Sequence, residues 1–148
     1  MLGVAGSGRQ AEAQVVATAR ELTVTEVLVW SREARHAEAF TKKFPELNAR
    51  SATLEKTCDC DVLVTITPSR EPIIKDEWIR EGMHINAIGA DAPGKEELDP
   101  HILSRARVFV DDPAQAFHSG EINVPITKGL YQTWMIAEIG RASCRERV

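Results

Sequence analysis

The chain has 148 residues, which suits one domain with a real core and would be a squeeze for two. Apolar residues make up 43%, charged residues 27%, and the formal net charge is -4, the profile of a soluble globular chain with no basic field for nucleic acid or an anionic membrane. No apolar run approaches the roughly 20 residues that span a bilayer, and the N-terminus does not read as a signal peptide. Three cysteines, an odd number, argue against a disulfide scaffold and for a reducing cytoplasm.

Strands and helices alternate from the start. Met1 to Ala5 is a short apolar run ending in glycines, and "RQAEAQVVATARELT" follows with Ala11, Val15, Ala19 and Leu22 on one face at helical spacing. "EVLVW" is a β-branched second strand, and "REARHAEAFTKKF" a second helix with Ala34, Ala37 and Phe44 inward, ended by Pro45. "LNARSATLEKTCDC" reads as a short strand and a short helix. "DVLVTITP" is the clearest strand, apolar almost throughout as burial on both faces requires. "IIKDEWIREG" predicts a short helix, "MHINAIGA" a fifth strand and "ARVFVDD" a sixth. Asp99-Pro100 and Asp112-Pro113 mark two helix starts, Asp at the N-cap and Pro at the first helical position. A last helix is expected from about Leu130 to Ile139. The alternation implies an α/β fold with a doubly wound parallel sheet.

The opening strand begins at Met1 itself, where a fold of this kind ordinarily has chain before it. At the other end "RASCRERV", residues 141–148, has no helical or strand period. It reads as a non-native or disordered tail, an ordinary frayed terminus being the alternative.

Gly6-Ser7-Gly8-Arg9-Gln10-Ala11 is a G-x-G-x-x-A pattern between a strand and an amphipathic helix. The first glycine suits a tight turn, the second lets backbone approach a pyrophosphate, and the small third residue lets helix pack on strand. The helix start then offers free N–H groups and a positive dipole end to phosphates. Strand two should end in an acid that binds the ribose 2'-hydroxyl of NAD. It ends instead in Ser31-Arg32, with Arg35 one turn on. Ser-Arg can hydrogen-bond and neutralise a 2'-phosphate, so NADP is expected over NAD; Glu33 as a displaced ribose acid is the alternative.

"GVAGSGRQAEAQ", "VLVWSRE", "DVLVTITPSREPII" and "INAIGADAPGKEELDP" together resemble the ornithine cyclodeaminase/mu-crystallin family over residues 1 to about 140. The Thr-Pro-Ser-Arg-Glu-Pro and Gly-Ala-Asp-Ala-Pro-Gly-Lys segments are the most specific parts of the likeness. The resemblance implies that Gly6, Ser7, Gly8, Arg9 and Gln10 form the pyrophosphate loop and that Ser31 and Arg32 serve the adenosine side. It also implies that Thr67 and Ser69 border the cofactor after strand four and that Asp91 is the catalytic acid. A carboxylate on that Gly-rich turn, leaving the carboxyl end of strand five, can accept a hydrogen bond from a substrate ammonium, shuttle a proton or offset an iminium. Capping of turn amides is the plain alternative for Asp91; of two readings for Lys95, neutralising Asp91 or being solvated, the solvated one is expected.

The resemblance further implies that residues 1–140 are the Rossmann NAD(P)-binding domain of an NAD(P)-dependent oxidoreductase of small amino or imino acids, of the alanine dehydrogenase or ketimine reductase type. An ammonia-releasing ornithine cyclodeaminase and a non-catalytic NADPH-binding crystallin remain alternatives. A second domain that grips the substrate carboxylate and completes a homodimer is expected to be missing, leaving the fragment alone inactive. No metal is expected: Cys58-Asp59-Cys60 lacks a second ligand pair and reads as small residues leading into a buried strand. His84 is expected in the core, His36, His101 and His118 on the surface, and Tyr131 and Trp134 over a face the missing domain covers.

Overall fold

The computed structural model describes residues 1–139. They divide into two compact units, Met1–Thr67 with Glu77–Ile88, and Pro68–Asp76 with the chain from Gly89 onward.

The first unit holds a parallel sheet of five strands: β1 Leu2–Ala5, β2 Val27–Trp30, β3 Arg50–Ser51, β4 Val62–Thr65 and β5 His84–Ala87, in the order β3-β2-β1-β4-β5. Strand alternation gives the sheet two different faces. Leu2 and Val4 of β1, Val27 and Val29 of β2 and Val64 of β4 point to one side. There they meet Ala11 and Val15 of α1 (Arg9–Glu21) and Ala37 and Phe40 of α2 (Ala34–Thr41), with Phe44 just beyond. Phe40 and Phe44 stack tilted at 5.4 Å. On the other side Gly3 lies in register with Leu28 and Leu63, and α3 (Leu54–Cys58) packs against β1 and β2. A Cβ on Gly3 would stand 2.1 Å from the Thr57 carbonyl oxygen, so only glycine lets α3 come this close. Helices on both faces of a parallel sheet make the doubly wound fold expected of the sequence.

Some details differ from the sequence expectation. Leu22 and Ala34 are exposed, because α1 ends at Glu21 and Phe40 takes the inward place on α2. His84 is exposed on the edge strand β5, its Nε2 2.9 Å from Asn86 Oδ1, and is no core histidine. His36, His101 and His118 are exposed as expected. Cys58 and Cys60 are fully buried free thiols, and burial pushes their pKa up to about 12 and about 11.

In the second unit, Ile74 forms a parallel bridge with Leu98, and the Ile73 and Ile74 amides both donate to the Glu97 carbonyl. The helix expected over 73–82 shrinks to a 3-10 turn at Asp76–Trp78. Both Asp-Pro starts form as expected. Asp99 caps α4 (Pro100–Arg105) by accepting from the His101 amide, and Asp112 caps α5 (Pro113–Ser119) by accepting from Ala114 and Gln115. A short α6 (Asn123–Thr127) follows. The helix expected over 130–139 is absent. Thr133–Met135 forms a 3-10 turn, and β7 Ile136–Glu138 pairs in parallel with β6 Val108–Val110 in a separate two-stranded sheet. Apolar spacing allowed a helix, but the open edge of β6 offers that backbone partners, and sheet pairing wins. Tyr131 is buried, with its hydroxyl donating to the Met135 carbonyl, so it does not sit on an uncovered face. The tail 141–148 and the side chain of Trp134 lie outside what is described.

Candidate functional site

Two loops carry the residues singled out in the sequence. The first links β1 to α1. Gly6 has φ 130°, a region open only to glycine, and a Cβ there would stand 2.5 Å from the Ile66 carbonyl oxygen. Its amide donates to the Trp30 carbonyl at 2.8 Å, which ties the turn to the end of β2. Ser7 Oγ donates to Ser31 Oγ at 3.1 Å, so the glycine loop and the end of β2 meet through side chains as well.

Gly8 is different. Its backbone is extended (φ -81°, ψ -178°), a conformation any residue adopts, and a Cβ placed there would meet nothing within 4 Å. Nothing among the described residues requires glycine at this position. Gly8 is also the N-cap of α1, and no side chain caps the helix. The first-turn amides of Arg9, Gln10 and Ala11 thus end a 13-residue helix with its positive dipole end toward an open cradle. Arg9 and Gln10 are exposed. A shallow depression of about 340 Å³ opens beside Ser7 and Gly8, with His36 and Lys43 of the α2 region on its rim. These features fit a dinucleotide diphosphate: bare amides, a dipole of the right sign, and room where a side chain would intrude.

Beyond β2, Glu33 is engaged by Arg35, whose Nε donates to it at 2.8 Å. Arg32, next to Ser31, is exposed. Thr67 is half-buried after β4. The Ser69 hydroxyl donates to the Glu71 carbonyl at 2.6 Å and accepts from the Glu71 amide at 3.3 Å, shaping its own turn. Ser69 belongs to the second unit and the other nucleotide-loop candidates to the first.

The second loop runs from Gly89 to Leu98 and carries Asp91, whose side chain is 65% exposed. Lys95 is not solvated as expected: its side chain is only 17% exposed and its ammonium donates to Asp91 Oδ1. That hydrogen bond and charge hold the Asp91 carboxyl below the usual carboxylate range. Gly94 turns the chain at φ 75°. Beneath the loop lie polar groups that the sequence reading did not single out. Glu97 Oε2 accepts from the Gly89 amide at 2.9 Å. Glu121 Oε1 accepts from the Glu97 and Leu98 amides at 2.8 and 2.6 Å. Asn123 Oδ1 accepts from the Gly94 amide at 3.1 Å, while its Nδ2 donates to the Lys95 carbonyl at 3.3 Å. The signal was an acid and an amide within the otherwise apolar segment "GEINVPI".

Among the described residues no group of three His, Cys, Asp or Glu side chains is arranged to hold a metal ion, and no helix is long and apolar enough to cross a membrane.

Known proteins share this architecture. Alanine dehydrogenase of Archaeoglobus fulgidus is 46% identical over 132 residues, covering 88% of this chain and 41% of that protein. The solved archaeal alanine dehydrogenase dimer with bound NAD superposes with a TM-score of 0.90 at 43% identity, covering 93% of this chain and 43% of that one. Iminosuccinate reductase of Paracoccus denitrificans, solved in complex with NAD+, superposes with a TM-score of 0.87 at 32% identity, covering 94% and 44%. The chain thus spans about two fifths of the length of these relatives. The sequence profile of the ornithine cyclodeaminase/mu-crystallin family matches residues 1–146, and the chain belongs to that family.

Proposed function

We propose that this chain is the cofactor-binding part of an NAD(P)-dependent oxidoreductase acting on small amino or imino acids, of the alanine dehydrogenase or ketimine reductase type. The observation that carries the proposal is the cradle at Gly8. The fold does not need glycine there, no side chain caps α1, and the space a Cβ would fill is open. A diphosphate is what such a position suits.

In this reading Gly6 sets the turn, and Ser7, Gly8, Arg9 and Gln10 hold the diphosphate through backbone amides and the Ser7 hydroxyl. Ser31 and Arg32 receive the adenosine side. With Glu33 engaged by Arg35, the guanidinium of Arg32 suits a 2'-phosphate, which favours NADP over NAD. The archaeal and Paracoccus relatives are solved with NAD, so NADP preference would set this chain apart from them. Thr67 and Ser69 border the nicotinamide side. When bound, the nicotinamide supplies or accepts hydride at the substrate α-carbon. Asp91 is the catalytic acid–base: as a carboxylate it accepts a hydrogen bond from the substrate nitrogen and takes or returns its proton. Residues 1–140 act as one nucleotide-binding domain. The full-length enzyme works as a cytoplasmic homodimer.

Titration of the chain with NADPH and NADH tests this. Wild type is expected to bind saturably and NADPH more tightly. Gly8→Ala should weaken both by about tenfold or more, since a methyl group then occupies the diphosphate's place. Arg32→Ala should cost NADPH about 10- to 100-fold, the loss of a charge-assisted contact, and leave NADH unchanged. No saturable binding by folded wild type overturns the proposal. Equal affinity for the two cofactors overturns the NADP preference alone.

A further inference from the structure

We propose that Glu121 and Asn123, where α5 gives way to α6, are positioning residues that fix the Gly89–Leu98 loop and so set the direction of the Asp91 carboxylate. The inference rests on the reading of Asp91 as the catalytic group.

Buried Ala90 and Leu98 and the Ile73 and Ile74 amides on the Glu97 carbonyl hold the ends of the loop, but its tip is different. Asp91, Pro93 and Gly94 are exposed, and no apolar side chain among them anchors the turn. Buried polar side chains also hydrogen-bond the loop backbone at three points. Glu97, fully buried, ties down Gly89 at the start. Asn123, 5% exposed, holds both the amide of Gly94 and the carbonyl of Lys95 in the middle. Glu121, 8% exposed, takes two successive amides, Glu97 and Leu98, at the end.

The middle tether matters most for Asp91. Lys95 reaches back to Asp91 Oδ1, and Asn123 grips the Lys95 backbone. Asn123 therefore sets where the ammonium sits, and the ammonium sets where the carboxylate points. Asn123 is itself fixed by donating from Nδ2 to the Gly120 carbonyl, one residue before Glu121. The two side chains thus act from one short stretch of backbone.

Burying a carboxyl is costly unless it is used, and Glu121 is used twice on one oxygen while Oε2 is buried without a hydrogen-bond partner. A group that only filled space would be cheaper as leucine. What Glu121 adds over leucine is an acceptor for two amides that would otherwise be buried unsatisfied.

The test reads the loop directly on this chain by NMR: the titration of the Asp91 carboxyl and the exchange rates of the Gly94, Glu97 and Leu98 amides. In wild type the Asp91 carboxyl should titrate below an ordinary aspartate. In Asn123→Ala it should return toward the ordinary value, with Gly94 exchange at least about tenfold faster and the β1 amides unchanged. Glu121→Leu should speed Glu97 and Leu98 exchange likewise, and Glu121→Gln, which keeps the acceptor, should restore wild-type behaviour at neutral pH. An unchanged Asp91 titration in folded Asn123→Ala overturns the proposal, as does a Glu121→Gln loop no better ordered than Glu121→Leu. Should the alanine variant not fold, the Gln-against-Leu comparison decides alone. Because turnover is not the readout, failure here counts against the clamp. The role of Asp91 itself would fail separately, through an Asp91→Asn enzyme that keeps its kcat.

Discussion

The glycine loop after β1 and the Asp91 loop after β5 are both turns that leave strand ends, yet they are held in opposite ways. The first is shaped by what is missing. Gly6 lies where only glycine fits, and its backbone amide hangs on the end of β2. The second is shaped by what is added, three buried polar side chains that hydrogen-bond the backbone from below. A loop built from glycine and strand ends stays open on its outer side, which suits a ligand bound by main-chain amides. A loop built on side-chain tethers presents one side chain in one direction, which suits chemistry.

The contrast can be broken at its stiffest point. Gly6→Ala forces a methyl to 2.5 Å from the Ile66 carbonyl oxygen at φ 130°, both overpacked and strained. We expect a loss on the order of 3–5 kcal/mol, read by denaturant unfolding, with nucleotide binding lost as a consequence of the fold. Gly8→Ala, two residues on, should cost under about 1 kcal/mol. If the two substitutions destabilise equally, glycine is not divided between fold and ligand as described.

The second loop has its own weak point, and pH exposes it. Burial raises the Glu121 pKa from 4.5 to about 8, with repulsion from Glu97 and Glu96 adding to it and the hydrogen bonds from the Leu98 and Glu97 amides opposing it. The folded state then keeps a proton that the unfolded chain has released. Stability from this group is fully present below pH 4.5, falls as pH rises, and levels off above about 8. Glu121→Gln removes that slope while keeping the acceptor. It should leave stability near pH 4.5 little changed and raise it by roughly 2–3 kcal/mol at pH 8–9, seen as a flatter profile of unfolding midpoint against pH. Parallel profiles for the two proteins would remove the charge cost from the account of the clamp.

The two loops were also unequally legible. Gly6 and Gly8 announce themselves because glycine spacing next to a strand and a helix has few other uses. The sheet was legible for a similar reason: "VLVW" and "DVLVT" are β-branched runs, and Asp99-Pro100 and Asp112-Pro113 write helix starts in a local code. Glu121 and Asn123 were not legible. Their partners lie more than 20 residues away in sequence, and an acid in "GEINVPI" looks the same whether it is solvated or buried. Lys95 was misjudged on the same ground, since nothing local shows that its stem is covered. The strand β7 was hidden because a helical apolar spacing gave way to the unpaired edge of β6, a partner 28 residues earlier. Chemistry that depends on long-range contacts needs the fold before it can be seen.

The smallest effect on stability offers the sharpest comparison of function. The helices α4 and α5 end their N-termini with Asp99 and Asp112, which take up first-turn amides. The helix α1 has Gly8 in the same position and no side-chain cap, so its amides stay available. Gly8→Asp would make α1 like the other two. Its backbone is already extended and the space for a side chain is open, so the change should stabilise the chain by a few tenths of a kcal/mol. The same carboxylate would occupy the diphosphate's place with its charge, and nucleotide affinity should fall by about 100-fold or more. A variant that folds better and binds as well as wild type would mean that the diphosphate lies elsewhere, since a helix start cannot satisfy its own cap and an anion with the same amides.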